Sequence, residues 1–184
     1  MMLCSFVFGQ NYHWTNPTIG WDLNSTLTSI IKINGEEYTI DDRYELGAFS
    51  MADGTMRGRE RFTVEDQRYY MLIVGNIGEQ ISFKLYDHVE KTEVDIECLT
   101  TIEYTGPNKD YGTVEEPLVI EFQESVAQIG TTKYPTLEAA VDAVGTGETI
   151  TVLKDITLSE TLTIAAAKNF TLDLNGNDIT ANLN

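Results

Sequence analysis

Between Thr26 and Gln123 the chain is a succession of short runs in which apolar and polar residues alternate, separated by turn dipeptides, with no stretch of helical spacing. A period of two sends successive side chains to opposite faces, so each run predicts a strand with one buried face. "TLTSIIKI" leads into Asn34-Gly35 and then "EEYTI"; Asn-Gly tolerates the positive φ angles of a two-residue turn, which predicts a hairpin. "LGAFSMA" and "TMRGRERF" flank Asp53-Gly54 in the same manner. "RYYMLIV" is apolar on both faces, as a central strand would be. "QISFKLYD" alternates strictly, with Ile81, Phe83 and Leu85 on one side and Ser82 and Lys84 on the other. With "EVDIECL" and "PLVIEF" added, roughly eight strands fill about 100 residues, the pattern of an antiparallel β-sandwich of Ig-like or carbohydrate-binding-like build. This module is expected over residues 10–124.

After "EFQESVAQIG" the pattern changes. In "YPTLEAAVDAVGTGET", Thr136 suits an N-cap and Glu138 the first turn, while Leu137, Ala140, Val141 and Val144 recur at helical spacing before Gly145 and Gly147. A short amphipathic helix is predicted there. "TITVL", "TLTI" and "FTLDL" follow as alternating runs, with Ile150 and Phe170 twenty positions apart. That period approximates one coil of a parallel β-helix, in which each turn stacks on its predecessor. In "FTLDLNGNDIT", Leu172 and Leu174 are expected to point inward, Asn175-Gly176 to turn a corner and Ile179 to start the next strand. Asp173, Asn175, Asn177 and Asp178 read as that corner rather than as a calcium loop, whose order of acidic residues around glycine they do not reproduce. Solenoids need about three repeats to close a core. Residues 125–184 hold barely two, so they read as the opening of a β-helix and the chain as the front of a longer protein.

Charge narrows the partners. The balance of 12 basic against 29 acidic residues gives a net charge of -17, which repels phosphate backbones and anionic lipid surfaces. Nucleic acid is therefore excluded as a natural partner. No apolar run reaches the ~18 to 20 residues of a membrane span. The uncharged opening "MMLCSFVFG" has Val7 and Gly9 at positions that suit signal peptidase, so residues 1–9 read as a signal peptide remnant with cleavage before Gln10; an ordinary first strand is the alternative. Cys4 is not preceded by the small residue a lipoprotein cysteine requires, since Leu3 stands there. Secretion or cell-surface display follows from this reading.

With Cys4 removed, Cys98 stands alone, and its place beside Val94 and Ile96 in "VDIEC" puts the thiol on the buried face of a strand. A cysteine nucleophile needs a histidine partner, and His13 and His88 lie in loop-like sequence without a supporting motif. No catalytic constellation and no cofactor or metal site is expected.

Two resemblances sharpen these expectations. "YELGAFSMADGTMRGRERF", "RYYMLIVGN" and "ISFKLYDH" resemble a module recurring in secreted and surface proteins of Bacteroidetes-type bacteria, with an acidic residue and Gly-Ala-Phe on one strand, Arg-Gly on the next, then a Tyr-rich strand and a Phe-x-Leu-Tyr-Asp strand. The resemblance implies a spacer or binding accessory rather than an enzyme. Ile129 to Thr180 resembles the start of pectin-lyase-like β-helix proteins: Ile-Gly, a Tyr-x-Thr-Leu helix, Gly-x-Thr-Ile, a Leu-x-Asp-Ile strand, then Leu-Asp-Leu-Asn-Gly. In β-helix enzymes catalytic groups usually sit on later coils, so no acid or base is carried over.

Two features remain as candidate binding residues. Arg57, Arg59 and Arg61 alternate along one strand and share a face; they either pair with cross-strand carboxylates or grip acidic sugars through guanidinium forks. Tyr12, Trp14 and Trp21 form an aromatic cluster that either stacks on a sugar ring or staples one end of the sandwich. The expected function is a secreted or cell-surface structural or adhesive protein, a β-sandwich leading into a β-helix stalk, with polysaccharide or another surface protein as partner. The alternative is a carbohydrate-binding accessory region of a polysaccharide-degrading β-helix enzyme.

Overall fold

The computed structural model describes residues 11–17, 24–38 and 40–182. Residues 1–9, Cys4 and Trp21 lie outside the described residues. The fold is mainly β, with one short helix among the described residues, and the chain divides into two compact units, Met1–Gln123 and Glu124–Asn184. No helix among the described residues is long and apolar enough to cross a membrane.

The first unit holds strands β1 (Ser25–Ile33), β2 (Glu36–Tyr38), β3 (Tyr44–Ser50), β4 (Met56–Arg61), β5 (Tyr69–Ile73), β6 (Glu79–Asp87), β7 (Thr92–Glu93), β8 (Glu97–Cys98), β9 (Ile102–Tyr104), β10 (Asp110–Tyr111) and β11 (Leu118–Gln123). Asn34 and Gly35 take φ of 54° and 84°, and Ile33 faces Glu36, so the first hairpin closes through the two-residue turn its sequence predicts. One sheet is built around β1, with β2, β5, β10 and β11 paired to it and β8 beyond β11; the other runs β4-β3-β6-β7, with β9 also paired to β6. The two sheets share one apolar core. Leu27, Ile31, Met71, Ile73, Ile120 and Phe122 come from the first sheet, and Leu46, Ala48, Ile81, Phe83, Leu85 and Tyr104 from the second.

Two expectations need correction. The sheet around β1 is not wholly antiparallel, because β1 runs parallel to both β10 and β11, pairing Ser29 with Leu118 through Ile33 with Phe122. Strand β5 does not bury both faces: Leu72 is 41% exposed between the buried Met71 and Ile73. Its apolar outer residue lies on the face turned from the core, and a scattered apolar surface residue is ordinary.

The second unit holds β12 (Ala127–Ile129), β13 (Thr132–Tyr134), α1 (Leu137–Ala143), β14 (Thr149–Val152), β15 (Ile156–Leu158), β16 (Thr171–Asp173) and β17 (Ile179–Ala181). Thr136 caps α1 by accepting a hydrogen bond from the Ala139 N–H at 3.1 Å, and Leu137, Ala140 and Val141 are buried, as their spacing predicts. They pack with Ile150, Val152 and Ile156. β14 pairs in parallel with β16, and β15 with β17. Ile150 faces Leu172 and Ile156 faces Ile179, so the repeat is 22 to 23 positions rather than the expected twenty between Ile150 and Phe170. The run "TLTI" at 161–164 forms no strand. Leu172 and Leu174, expected to point inward, are 38% and 41% exposed, since among the described residues no strand lies on the far side of β16.

Candidate functional site

Strand β3 carries the sequence "YELGAFS", and its alternation sends Leu46 and Ala48 into the core. Glu45, Gly47 and Phe49 therefore point to the opposite face, yet Glu45 is wholly buried. The cover is a strap formed by residues 11–17, which runs over this outer face without joining either sheet.

Three side chains of the strap are set by three different features of the sheet. The Glu45 carboxylate accepts the backbone N–H of His13 at 2.6 Å and of Trp14 at 3.2 Å, and it also meets His88 Nε2 at 2.9 Å. The His13 ring stacks on Tyr86 of β6, with centroids 3.7 Å apart and ring planes nearly parallel. Trp14 stands edge-on to Phe49 and to Tyr86, and its Nε1 donates to Glu93 at 3.2 Å. Gly47 makes room for that indole: a Cβ there would lie 2.8 Å from Trp14 and 2.7 Å from Phe49. Tyr12 lies under the Arg59 guanidinium, 3.5 Å from Cζ to the ring centroid, and its hydroxyl donates to Glu60 at 2.5 Å. Burial and that carboxylate push the Tyr12 phenol up to about 12.

The three arginines have separate engagements. Arg57 forks onto Glu79, with Nη2 to Oε1 at 2.6 Å and Nε to Oε2 at 3.0 Å, and it lies 3.9 Å from Asp53. Its hydrogen bonds hold the Glu79 carboxyl down at about 2. Arg59 lies over Tyr12, as above. Arg61 pairs with the Asp42 carboxylate at 2.8 Å and donates to the Asn11 carbonyl at 3.2 Å, so it too touches the strap. Arg59 and Arg61, opposite Gly47 and Glu45 of β3, lie side by side and hold the strap, whereas Arg57 falls where the β3–β4 register shifts and is tied to Glu79 of β6, so the single shared face expected of all three is interrupted at Arg57.

Of the aromatic trio, Tyr12 and Trp14 lie together on this face, and Trp21 lies outside the described residues. The sequence does not single out Glu45, and His13 and His88, set aside there as loop residues without a supporting motif, are brought to it by the fold. Both histidines of the chain meet Glu45, and the available signal was an acidic residue at an outward position of an otherwise apolar strand. Cys98 sits on the opposite sheet, packed against the core, its Sγ 3.2 Å from the Thr100 carbonyl; burial pushes its thiol up, which suits a packing role over a nucleophile. Asp173 accepts the Asn175 N–H at 2.9 Å and Asn177 donates to the Val152 carbonyl at 3.1 Å, so both side chains are spent on the corner between β16 and β17. Among the described residues no group of three or more His, Cys, Asp or Glu side chains is arranged to hold a metal ion.

No protein-family model matches the chain, and no curated protein shows significant similarity to it.

Proposed function

We propose that this is a secreted or surface-displayed structural protein, in which a β-sandwich spacer or adhesive module precedes a unit wound as a parallel β-helix, the architecture of a stalk. The observation that carries the reading is the stack in the second unit. Asp155-Ile156-Thr157 recurs as Asp178-Ile179-Thr180, and the two triplets are laid in register: Asp155 accepts the Asp178 N–H at 2.9 Å and the Thr157 and Thr180 hydroxyls are 3.1 Å apart. Like side chains stacked one coil above another are what a solenoid produces and what an isolated hairpin does not. Two sheets closing on one core, with β1 and β11 side by side, support the sandwich reading of the first unit.

The alternative, a carbohydrate-binding accessory region of a polysaccharide-degrading enzyme, draws on the aromatic and guanidinium groups of the strap face. One comparison separates the two. On an acidic polysaccharide column, the chain and its Arg57→Ser/Arg59→Ser/Arg61→Ser variant should elute together, while the variant melts at lower temperature. Retention of the parent chain that the triple variant loses, at a temperature where both are folded, would reverse the preference and assign the arginines to a sugar site.

A further inference from the structure

We propose that the strap seat on the outer face of β3, β4 and β6 is an exchangeable peptide site, able to take residues 11–17 from a second copy of this chain in place of its own. The seat recognises a peptide by its backbone, since one buried carboxylate receives two consecutive N–H groups, those of His13 and Trp14. Its side-chain chemistry is complementary to this segment. Three acids of the seat, Glu45, Glu60 and Glu93, each receive donors from the strap, in the His13 and Trp14 amides, the Tyr12 hydroxyl and the Trp14 indole N–H. The strap segment "NYHWTNP" itself contains no carboxylate to be repelled by them. Arg59 and Arg61 complete the match through the Tyr12 ring and the Asn11 carbonyl.

The strap is also separable from what folds the unit. None of its residues belongs to the apolar core, whose first member among the described residues is Leu27, and it adds no strand to either sheet. Leaving the seat therefore costs the contacts of the seat and leaves the core closed. Exchange between copies then creates no new interface; it makes the same contacts in trans, the usual route of segment swapping. Tethering decides which form prevails. A segment joined by a short linker sees its seat at an effective concentration on the order of mM, so dilute chains seat their own straps and exchange is confined to crowded copies, as on a surface.

The test uses the full chain with Trp14→Ala, which weakens the internal strap while leaving the seat intact, and a fluorescein-labelled peptide of residues 11–17. Fluorescence anisotropy should show saturable one-to-one binding to this variant and at least tenfold weaker binding to the parent chain, whose seat is filled. Adding Glu45→Gln to the variant should weaken binding at least tenfold, because the His13 and Trp14 N–H groups use different carboxylate oxygens and the amide replaces one of those acceptors with a donor. A peptide carrying Trp14→Ala should not bind. Mixing the Trp14→Ala chain with a Gly47→Ala chain, which has an intact strap and an obstructed seat, should yield a one-to-one dimer in sedimentation that neither forms alone. Failure of the peptide to bind a folded Trp14→Ala chain, or binding to that chain no tighter than to the parent chain or to the Trp14→Ala/Glu45→Gln variant, overturns the proposal. Loss of the β circular dichroism spectrum in Trp14→Ala overturns it as well, since the core would then depend on the strap.

Discussion

At the scale of single residues Arg57 forms a largely buried ion pair with Glu79, the two side chains being 16% and 8% exposed. The folded state holds Glu79 at about 2 against an ordinary 4.5, so the pair's contribution is whole above about 4.5 and is lost as the pH falls through about 2. Arg57→Ser leaves that carboxylate without its cation and should cost about 3 kcal/mol at neutral pH and much less near pH 2, as read from urea midpoints. An equal loss at both values would mean that Arg57 acts by packing its aliphatic stem. A second prediction concerns Gly47. Its position is closed to a Cβ by Trp14 and Phe49, so Gly47→Ala should raise the exposure of Trp14 to acrylamide quenching and cost about 1 to 3 kcal/mol through overpacking; unchanged quenching would remove Trp14 from this face. These residues also mark what was readable in advance. The arginine alternation is visible in the sequence of β4, but the register shift at Arg57 and the carboxylate each guanidinium finds are not: Arg57 meets Glu79 across a strand pairing that its own strand does not share. Glu45 escaped for a related reason. Nothing local says that an outward carboxylate will be covered, since its cover comes from residues more than 30 positions away.

At the scale of elements, legibility follows the distance between partners. The β1–β2 hairpin and the α1 cap each depend on a few adjacent residues, Asn34-Gly35 and Thr136 with Ala139, and both were legible. The parallel pairing of β1 with β11 joins Ser29 to Leu118, and alternation along either strand is the same whichever neighbour it acquires. The coil period shows an intermediate case. Counting from Ile150 to Phe170 gave twenty because apolar residues were matched, whereas the register is fixed by the Asp-Ile-Thr triplets at 155–157 and 178–180. Those triplets supply an element-scale prediction. Asp155→Ala deletes the acceptor of the Asp178 N–H and should destabilise the second unit by about 1 kcal/mol, with faster hydrogen exchange at Asp178 and Ile179. Asp155→Asn keeps an oxygen in place and should retain most of the protection. If Asp155→Ala leaves exchange unchanged, the two triplets are alike in sequence without holding the coils together.

For the whole molecule the relevant fact is the division at Gln123 and Glu124, with a separate apolar core on each side. Units with their own cores can unfold separately, and the exposed edges of the smaller one set how it fails. Among the described residues β16 and β17 each pair on one side only, leaving backbone donors and acceptors free beside the exposed Leu172 and Leu174. An unpaired, partly apolar edge is a template for another chain. Residues 124–184 expressed alone should therefore associate as concentration rises, while Ile150 and Val152, already wholly buried, contribute nothing to that surface. Natural edges are blunted with lysine, and Leu172→Lys places one at the centre of β16 without replacing a core residue. The substitution should lower the sedimenting mass of the isolated unit toward that of a monomer, at little cost to its melting temperature. A parent segment that is already monomeric, with a sharp and concentration-independent transition, would show that this unit closes on itself, and the coil-stack reading would lose its physical consequence.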